Sequence, residues 1–514
     1  MHSMQTLTSW LMKYRFPILC LSVFGVMCLH TRNGQWIGDF WEHSAVVREL
    51  ATNILQPKHP QLLLDAPHAF YSPYAVIVAL LARTLHSGAV MALSIMGLVN
   101  LCLLFLGLRL FVFSIVPKHR SATAFYALLL TLFCWGSHPW IWSGFFHIGV
   151  LGYVLPYPST FAAALTLIAL GANRLRIETK RQIWIVAIFF ISVTVLISHP
   201  TTFLFLVVGL ISQACAEKGS VPSQIVLVGG LLTLAFLVAT FWPYFPMLSL
   251  FSDASTSMRD MQSRIMYQQV LSRIWPSLIV VPLIIANMRS NWRRPLVLML
   301  VMLLGIYAFG AISGNYSYGR VIAYIVLLLH VTIAEHLSIL ESRVHQIHAP
   351  TWFQRLIVPA SVMALALLLS FAPLRSTLAH ASLKQEPTYK SYMFLSQFTG
   401  QYDVVMSDIK SSWIVPTFGG KVVAASNPLA FVPDYGVRRA DLDRFFDRET
   451  VLSERQKIIQ KYKANYLLLS KSEDVSWQDL KQSFMFQGQV EFESDRFVLI
   501  SLKPILEKDT TPCQ

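Results

Sequence analysis

Charge is what this sequence has least of. Only 13% of its 514 residues are Asp, Glu, Lys or Arg, while 54% are hydrophobic, and soluble domains carry about 25% charged residues. A mean hydropathy of +0.53 excludes an ordinary cytosolic enzyme and a disordered chain. Cysteine is also sparse. The six residues Cys20, Cys28, Cys102, Cys134, Cys215 and Cys513 include no CxxC pair, so neither a zinc ribbon nor a disulfide framework is indicated. There is no internal repeat, no low-complexity tract, and no glycine-rich fingerprint of a nucleotide-binding βα turn. What the chain has instead is apolar runs of membrane length, at about 20 residues per crossing.

The few charges are unevenly spread. Residues 1–371 hold 23 Lys and Arg against 10 Asp and Glu, a net of +13, whereas residues 372–514 hold 18 against 17, a net of +1. The positive surplus therefore belongs to the membrane part, where it sets orientation and gives no reason to expect nucleic acid as a partner. Lys13 and Arg15 precede an apolar run from Phe16 to about His30, and no Ala-x-Ala-like site follows it. This predicts a retained first helix with a cytoplasmic N-terminus. Basic clusters at Asn173–Arg181, Met288–Arg294 and Arg343–Arg355 fit cytoplasmic loops. From these anchors, spans are expected near 156–172, 182–197, 201–215, 224–245, 274–287, 295–313, 321–338 and 356–371. The region 69–155 accommodates two or four more. The basic loop Pro117-Lys-His-Arg120 favours two, for 11 spans in all, with 13 as the alternative.

Two pieces lie outside that pattern. Thr31 to about His68 follows the first helix and contains Asp39-Phe-Trp-Glu-His43, after which Val46, Leu50 and Leu55 line one helical face. An amphipathic helix at the membrane interface is expected there, ended by Pro57, Pro60, Pro67 and Pro73. Beyond about residue 372, β-like runs at 402–406, 421–425, 465–470, 490–493 and 497–502 alternate with helical ones at 439–448, 453–462 and 477–484. That alternation predicts a small α/β domain. The expected fold is thus an α-helical polytopic membrane protein with a C-terminal α/β domain. Residues 1–371 form the transmembrane part, its outer loop 31–68 carrying the candidate site, and 372–514 form an extracytoplasmic soluble domain.

Chemistry on the outer face must draw on few carboxylates: Asp39, Glu42, Glu49, Asp65, Asp253 and Asp260. Asp39 and Glu42 are spaced i,i+3, and Asp39 and His43 i,i+4, so a helix puts all three on one face. At an apolar boundary such a carboxylate is a candidate general base. The alternative is that Asp39 caps the helix and Glu42 completes a capping box. A second cluster is Gly314-Asn-Tyr-Ser-Tyr-Gly-Arg320, where Arg320 is a candidate phosphate ligand and Tyr316 and Tyr318 add hydroxyls. An interfacial aromatic belt with a snorkelling arginine is the competing reading. His199, in Ser198-His-Pro-Thr-Thr202, is either a turn residue or a contact for an anionic head group or sugar. Arg259, Asp260, Arg264, Tyr267 and Arg273 lie on an outer segment whose cations follow lipid phosphates or simply a solvated face. The aromatic loop from Trp135 to Tyr157 packs as a belt or stacks on a sugar. No metal-ligand cluster is spelled out, which leaves the divalent-metal requirement open.

The order of these features resembles the GT-C glycosyltransferase superfamily, polytopic enzymes that use polyprenyl-phosphate sugars, such as the protein O-mannosyltransferases, lipid A aminoarabinose transferases and mycobacterial arabinosyltransferases. The likeness spans the chain. One membrane helix leads to the acidic loop Gly38–His43, a Pro/Tyr re-entry follows at Phe70-Tyr-Ser-Pro-Tyr74, then a multi-helix body, then the C-terminal α/β domain with Tyr402–Asp408 and Pro416–Lys421. The resemblance implies a polyprenyl-phosphate-linked sugar as donor and a glycan, lipid or protein acceptor. In that superfamily an acid at the end of the first helix acts as base on the acceptor hydroxyl, which corresponds to Asp39. Basic residues near the outer face hold the donor phosphate, for which Arg320 is the best placed, with Tyr318, His199 and Arg264 beside it. Members often carry adjacent acids, Asp-Glu or Asp-Asp. Here the pair is Asp39-Phe-Trp-Glu42, so either is the base, with His43 as a third catalytic candidate. The implied reaction is inverting direct displacement by a hexosyl- or pentosyltransferase.

A membrane transporter, a lipid-linked polysaccharide polymerase or ligase, and a non-catalytic scaffold are the rivals. Transporters tend to show repeated halves and midplane charges, which this sequence does not. A polymerase or ligase would carry its large outer loop mid-chain. The expected location is a bacterial inner membrane, with the C-terminal domain in the periplasm or cell exterior.

Overall fold

The computed structural model describes residues 2–217, 221–251, 260–344, 351–382, 386–471, 477–485 and 488–502. Asp253, Arg259 and Cys513 lie outside them, as does part of the basic Arg343–Arg355 stretch. The chain divides into two compact units. One comprises Met1–Gly34, Ser94–Trp242 and Arg259–Lys384; the other comprises Gln35–Leu93, Pro243–Met258 and Gln385–Gln514.

The first unit is helical. Its helices are α1 (His2–Asn33), α4 (Ala89–Ile115), α5 (Arg120–Phe133), α6 (Ile148–Val154), α7 (Pro158–Thr179), α8 (Ile183–Ser198), α9 (Pro200–Ala216) and α10 (Val221–Thr240). They continue with α11 (Val270–Leu278), α12 (Val281–Asn291), α13 (Pro295–Ser313), α14 (Ile322–Val344), α15 (Thr351–Leu369) and α16 (Phe371–Ser382). In the second unit lie α2 (Phe40–Thr52) and α3 (Pro73–Thr84). Several starts obey the local rules. Pro158, Pro200 and Pro295 each occupy the first helical turn, where proline's missing N–H costs nothing. Helix α13 stops at Gly314, whose φ of +75° suits glycine.

Among the described residues, seven helices are long and apolar enough to cross a membrane, and four shorter apolar helices accompany them. Seven is fewer than the 11 or 13 spans expected, and the four shorter helices include α3 but none at the expected span 274–287. At 1.5 Å per residue, α3 with its 12 residues falls well short of a hydrocarbon core of about 30 Å. The span expected at 274–287 is not one helix. A break after Leu278 separates α11 from α12, with Pro276 inside the first and Pro282 at the start of the second. Among the described residues, five cysteines are free thiols: Cys20, Cys28, Cys102, Cys134 and Cys215.

The second unit contains a five-stranded mixed sheet of order β2-β1-β3-β5-β4, built from β1 (Val404–Ser407), β2 (Lys421–Val422), β3 (Ala464–Ser470), β4 (Gln489–Glu493) and β5 (Phe497–Ser501). β2, β1 and β3 run parallel, and β5 is antiparallel to both β3 and β4. The strands alternate between two cores, as a period of two requires. Val404, Met406, Leu467, Leu469, Val498 and Ile500 pack on one face with Phe445 and Phe484. Val405, Tyr466, Leu468, Phe497 and Leu499 pack on the other with Leu62, Tyr392 and Leu395. Both faces being covered explains why these strands read as apolar runs. Leu62, far upstream in sequence, bridges Val422 in parallel and so extends the β2 edge.

Candidate functional site

In the second unit, α2 carries the acidic motif. Its expected form, an amphipathic helix lying at an interface with Leu55 on its apolar face, is corrected. The helix ends at Thr52, Leu55 is 85% exposed, and ten of the thirteen helical residues are buried. The reason is packing on two sides, against α3 and against α17 (Ser411–Phe418). Trp41 meets the rings of Tyr389 and Phe418.

Burial separates the three clustered residues. Asp39 is exposed at the helix start, whereas Glu42 and His43 are buried at 1% and 7% exposure. Asp39 makes no capping bond with its side chain, and its backbone is itself helical, so the capping alternative is not how it is used. Its Oδ1 instead accepts a hydrogen bond of 3.2 Å from Asn427 Nδ2. Glu42 Oε1 stands 3.8 Å from His68 Nε2. Because His68 Nδ1 accepts the Phe70 amide at 3.2 Å, a neutral His68 carries its proton on Nε2, toward Glu42. His43 stacks on Phe70 at 4.7 Å, and burial pushes its imidazole down to about 3. It is therefore a neutral group at physiological pH.

Glu49, one of the outer-face carboxylates, and Lys421, given no role in the sequence, anchor this corner. Lys421 Nζ donates to Glu49 Oε2 at 2.7 Å and to the carbonyls of His59 at 2.8 Å and Pro60 at 3.2 Å. Glu49 also receives Gln401 Nε2 and the Lys58 amide. Arg48 donates to the carbonyls of Pro416 and Gly419. The available signal was a lone lysine in Gly-Gly-Lys-Val-Val-Ala-Ala, since a lysine in a buried strand requires an acid.

The first unit holds the other four candidates. Two short 3-10 helices, Arg264–Tyr267 and Tyr316–Val321, pack together. Asp260 ties down the second by accepting the Tyr316 and Ser317 amides at 3.0 and 2.6 Å. Arg320 donates to Ser263 Oγ at 3.1 Å and lies 5.6 Å over the Trp142 ring. Arg264 is exposed and rests 5.8 Å from the Tyr316 ring. Tyr318 is 39% exposed beside Phe309. Tyr267 stacks on Tyr307 at 4.5 Å, and burial, with Asp260 nearby, pushes its phenol up to about 12. Arg264 and Arg320 thus sit on the two packed short helices, with the exposed phenol of Tyr318 on the second. His199 is the N-cap of α9: its Nδ1 accepts the Thr202 amide and meets Thr202 Oγ1 at 2.7 Å, and that hydroxyl meets Tyr324 on α14. The aromatic loop is packed rather than displayed. Trp140 is buried and donates to the Ile265 carbonyl, and Arg273 covers its ring. No group of three or more His, Cys, Asp or Glu that could hold a metal ion occurs among the described residues.

Solved structures resemble this arrangement. The oligosaccharyltransferase of Archaeoglobus fulgidus in its apo form superimposes with a TM-score of 0.55 at 12% identity, covering 90% of this chain and 70% of that one. The chain has the fold of an archaeal oligosaccharyltransferase. The same enzyme tethered to an acceptor peptide with an NVT sequon gives a TM-score of 0.53, and the enzyme, AglB, in complex with an inhibitory peptide and a dolichol-phosphate gives 0.54, both at 12% identity and the same coverage. No protein-family profile matches the chain, and no curated protein sequence does. The likeness to AglB thus lives in the three-dimensional arrangement of helices and sheet rather than in aligned sequence.

Proposed function

We propose that the chain is an integral membrane glycosyltransferase. It moves a sugar from a polyprenyl-phosphate donor to an acceptor hydroxyl of the cell envelope at the outer face of a bacterial inner membrane. The observation that carries this reading is the AglB-like fold over 90% of the chain, with an exposed acid, Asp39, opening the helix that follows the first apolar helix. AglB is known in complex with an acceptor peptide and with dolichol-phosphate, which supports a lipid-linked donor here.

In this mechanism Asp39 takes the proton of the acceptor hydroxyl as its oxygen attacks the anomeric carbon. The bond to the donor phosphate breaks, and polyprenyl phosphate leaves with the electron pair. One displacement inverts the anomeric centre. Exposure favours Asp39 over the buried Glu42 as base, and Asn427 orients its carboxylate. Glu42 acts from behind, through the buried His68 and His43. Arg320, Arg264 and Tyr318 hold the donor phosphate, with the N-terminus on the cytoplasmic side as the basic loops require.

The test supplies the full-length protein in lipid with radiolabelled polyprenyl-phosphate sugars and envelope acceptors. Asp39→Asn is expected to cut transfer by about 10²–10⁴-fold, the contribution of a general base, with a smaller loss in Glu42→Gln. Transfer unaffected by Asp39→Asn sinks the assignment of the base. A protein that binds no polyprenyl phosphate sinks the glycosyltransferase and turns attention to transport.

A further inference from the structure

Three basic segments that are far apart in sequence meet in one cleft of the helical unit. The N-terminal part of α1 supplies Ser9, Lys13 and Arg15; the turn into α5 supplies His119, Arg120 and Ser121; and α14 and α15 supply Glu341 and Arg355. The cleft is open and holds about 900 Å³. Its single carboxylate is already neutralised, because Glu341 Oε2 takes Arg15 Nη1 at 3.0 Å and the Tyr126 hydroxyl at 2.7 Å. That leaves Lys13, Arg120 and Arg355 without an acidic partner among the described residues. The first turn of α5 also lines the cleft, and its N-cap, His119, makes no side-chain capping bond, so the helix end favours an anion.

A second cavity draws on the same two helices, α14 and α15. Leu337, Leu340 and Val344 of α14 face Phe353, Ile357, Val358 and Val362 of α15 across an almost wholly apolar groove of about 320 Å³. Consecutive residues divide between the two cavities: Leu340 lines the groove and Glu341 the cleft, Gln354 the groove and Arg355 the cleft. A cationic cleft and an apolar groove that draw on consecutive residues of the same two membrane-length helices match one kind of molecule, with a phosphate at one end and hydrocarbon at the other.

We propose that this is a binding site for an anionic phospholipid of the leaflet facing the N-terminus, with the headgroup phosphate among Lys13, Arg120 and Arg355 and an acyl chain between α14 and α15. Charge complementarity selects the anionic headgroup, since three unpaired cations leave a zwitterionic lipid's ammonium disfavoured. The groove selects a lipid over free phosphate, because burying a methylene chain there adds to the electrostatic attraction.

The experiment uses the full chain in detergent, titrated with dioleoyl phosphatidylglycerol, dioleoyl phosphatidylcholine and inorganic phosphate, read by native mass spectrometry and thermal unfolding. The phosphatidylglycerol is expected to bind about tenfold or more tightly than phosphatidylcholine, and each of Lys13→Gln, Arg120→Gln and Arg355→Gln to weaken it about fivefold. Leu340→Trp, which fills the groove, is expected to weaken the lipid and leave inorganic phosphate unaffected. Arg355→Gln keeps the test valid should another of the single variants unfold. Equal affinity for the two lipids, or a preference that survives Arg355→Gln, overturns the site. Inorganic phosphate competing as well as the lipid overturns the lipid assignment.

Discussion

Lys421 Nζ lies 2.7 Å from Glu49 Oε2, and both side chains are about 97% buried. The contact joins the helix that opens with Asp39 to the edge strand of the sheet. Removing one member leaves an uncompensated buried charge, which costs about 3–5 kcal/mol. Lys421→Met is therefore expected to destabilise the unit strongly, and the double variant Glu49→Met/Lys421→Met to lose less than the two single variants combined. Thermal unfolding of the four proteins in one detergent checks this; simple additivity would contradict the pairing.

Burial also makes the unit acid-sensitive. The imidazoles of His43 and His59 are held down to about 3, from an ordinary value of 6.5, by burial in both cases and additionally by Lys421 and Arg438 for His59. Below about pH 6.5 the unfolded chain takes up protons that the folded chain refuses, so stability falls as pH falls, over the window from about 6.5 to 3. The expected slope is about 1.4 kcal/mol per pH unit for each histidine. Unfolding temperatures measured at pH 7 and pH 5 are expected to converge in His59→Asn relative to the parent, because one of the two titrating groups is gone.

Gly319 controls how the two short helices of the phosphate-binding candidate pack. A Cβ there would meet Tyr267 Cε2 at 2.6 Å and Met266 Cβ at 2.9 Å. Gly319→Ala is thus expected to push Arg264–Tyr267 away from Arg320, at about 1–3 kcal/mol, and to weaken donor binding. Gly305→Ala, with nothing within 4 Å of its new methyl, is the matched control and is expected to be neutral or mildly stabilising. Equal donor affinity in the two variants would remove Gly319 from the argument.

Arg320 offers a kinetic split. If it holds the donor phosphate in ground and transition states alike, Arg320→Gln raises the donor KM about 10–100-fold with little change in kcat, whereas Asp39→Asn lowers kcat. Arg320→Lys is expected to recover only part of the loss, since the ammonium cannot both bond Ser263 and stack on Trp142 as the guanidinium does. Steady-state kinetics with varied donor separate these outcomes.

Much of the fold was legible because apolar length is a local property. The helices Ile183–Ser198, Pro200–Ala216 and Pro295–Ser313 fall within a few residues of the expected spans, as do the five strands of the sheet, while Pro158–Thr179 starts as expected and runs seven residues further. The acidic motif on α2 was legible as spacing. Its environment was not, because the partners that bury Glu42 and Glu49 come from the proline-rich loop around His59 and His68 and from Lys421, hundreds of residues on. A reader of one helix sees its periodicity and not its neighbours, which is why an interfacial helix was expected where a packed one is found.

By itself, then, the sequence determined that the chain enters a membrane, where its cations concentrate, and that its C-terminal region alternates strands and helices. Those follow from the cost of leaving apolar runs in water and from side-chain periodicity, both set by near neighbours. Only the tertiary structure decided that Asp39 is exposed and bonded by Asn427 while Glu42 is buried, that Gln35–Leu93 joins the sheet's unit, and that Lys13, Arg120 and Arg355 line one cleft. Each of these depends on contacts between segments distant in sequence, whose pairing is settled by which buried charges and apolar faces satisfy one another in three dimensions.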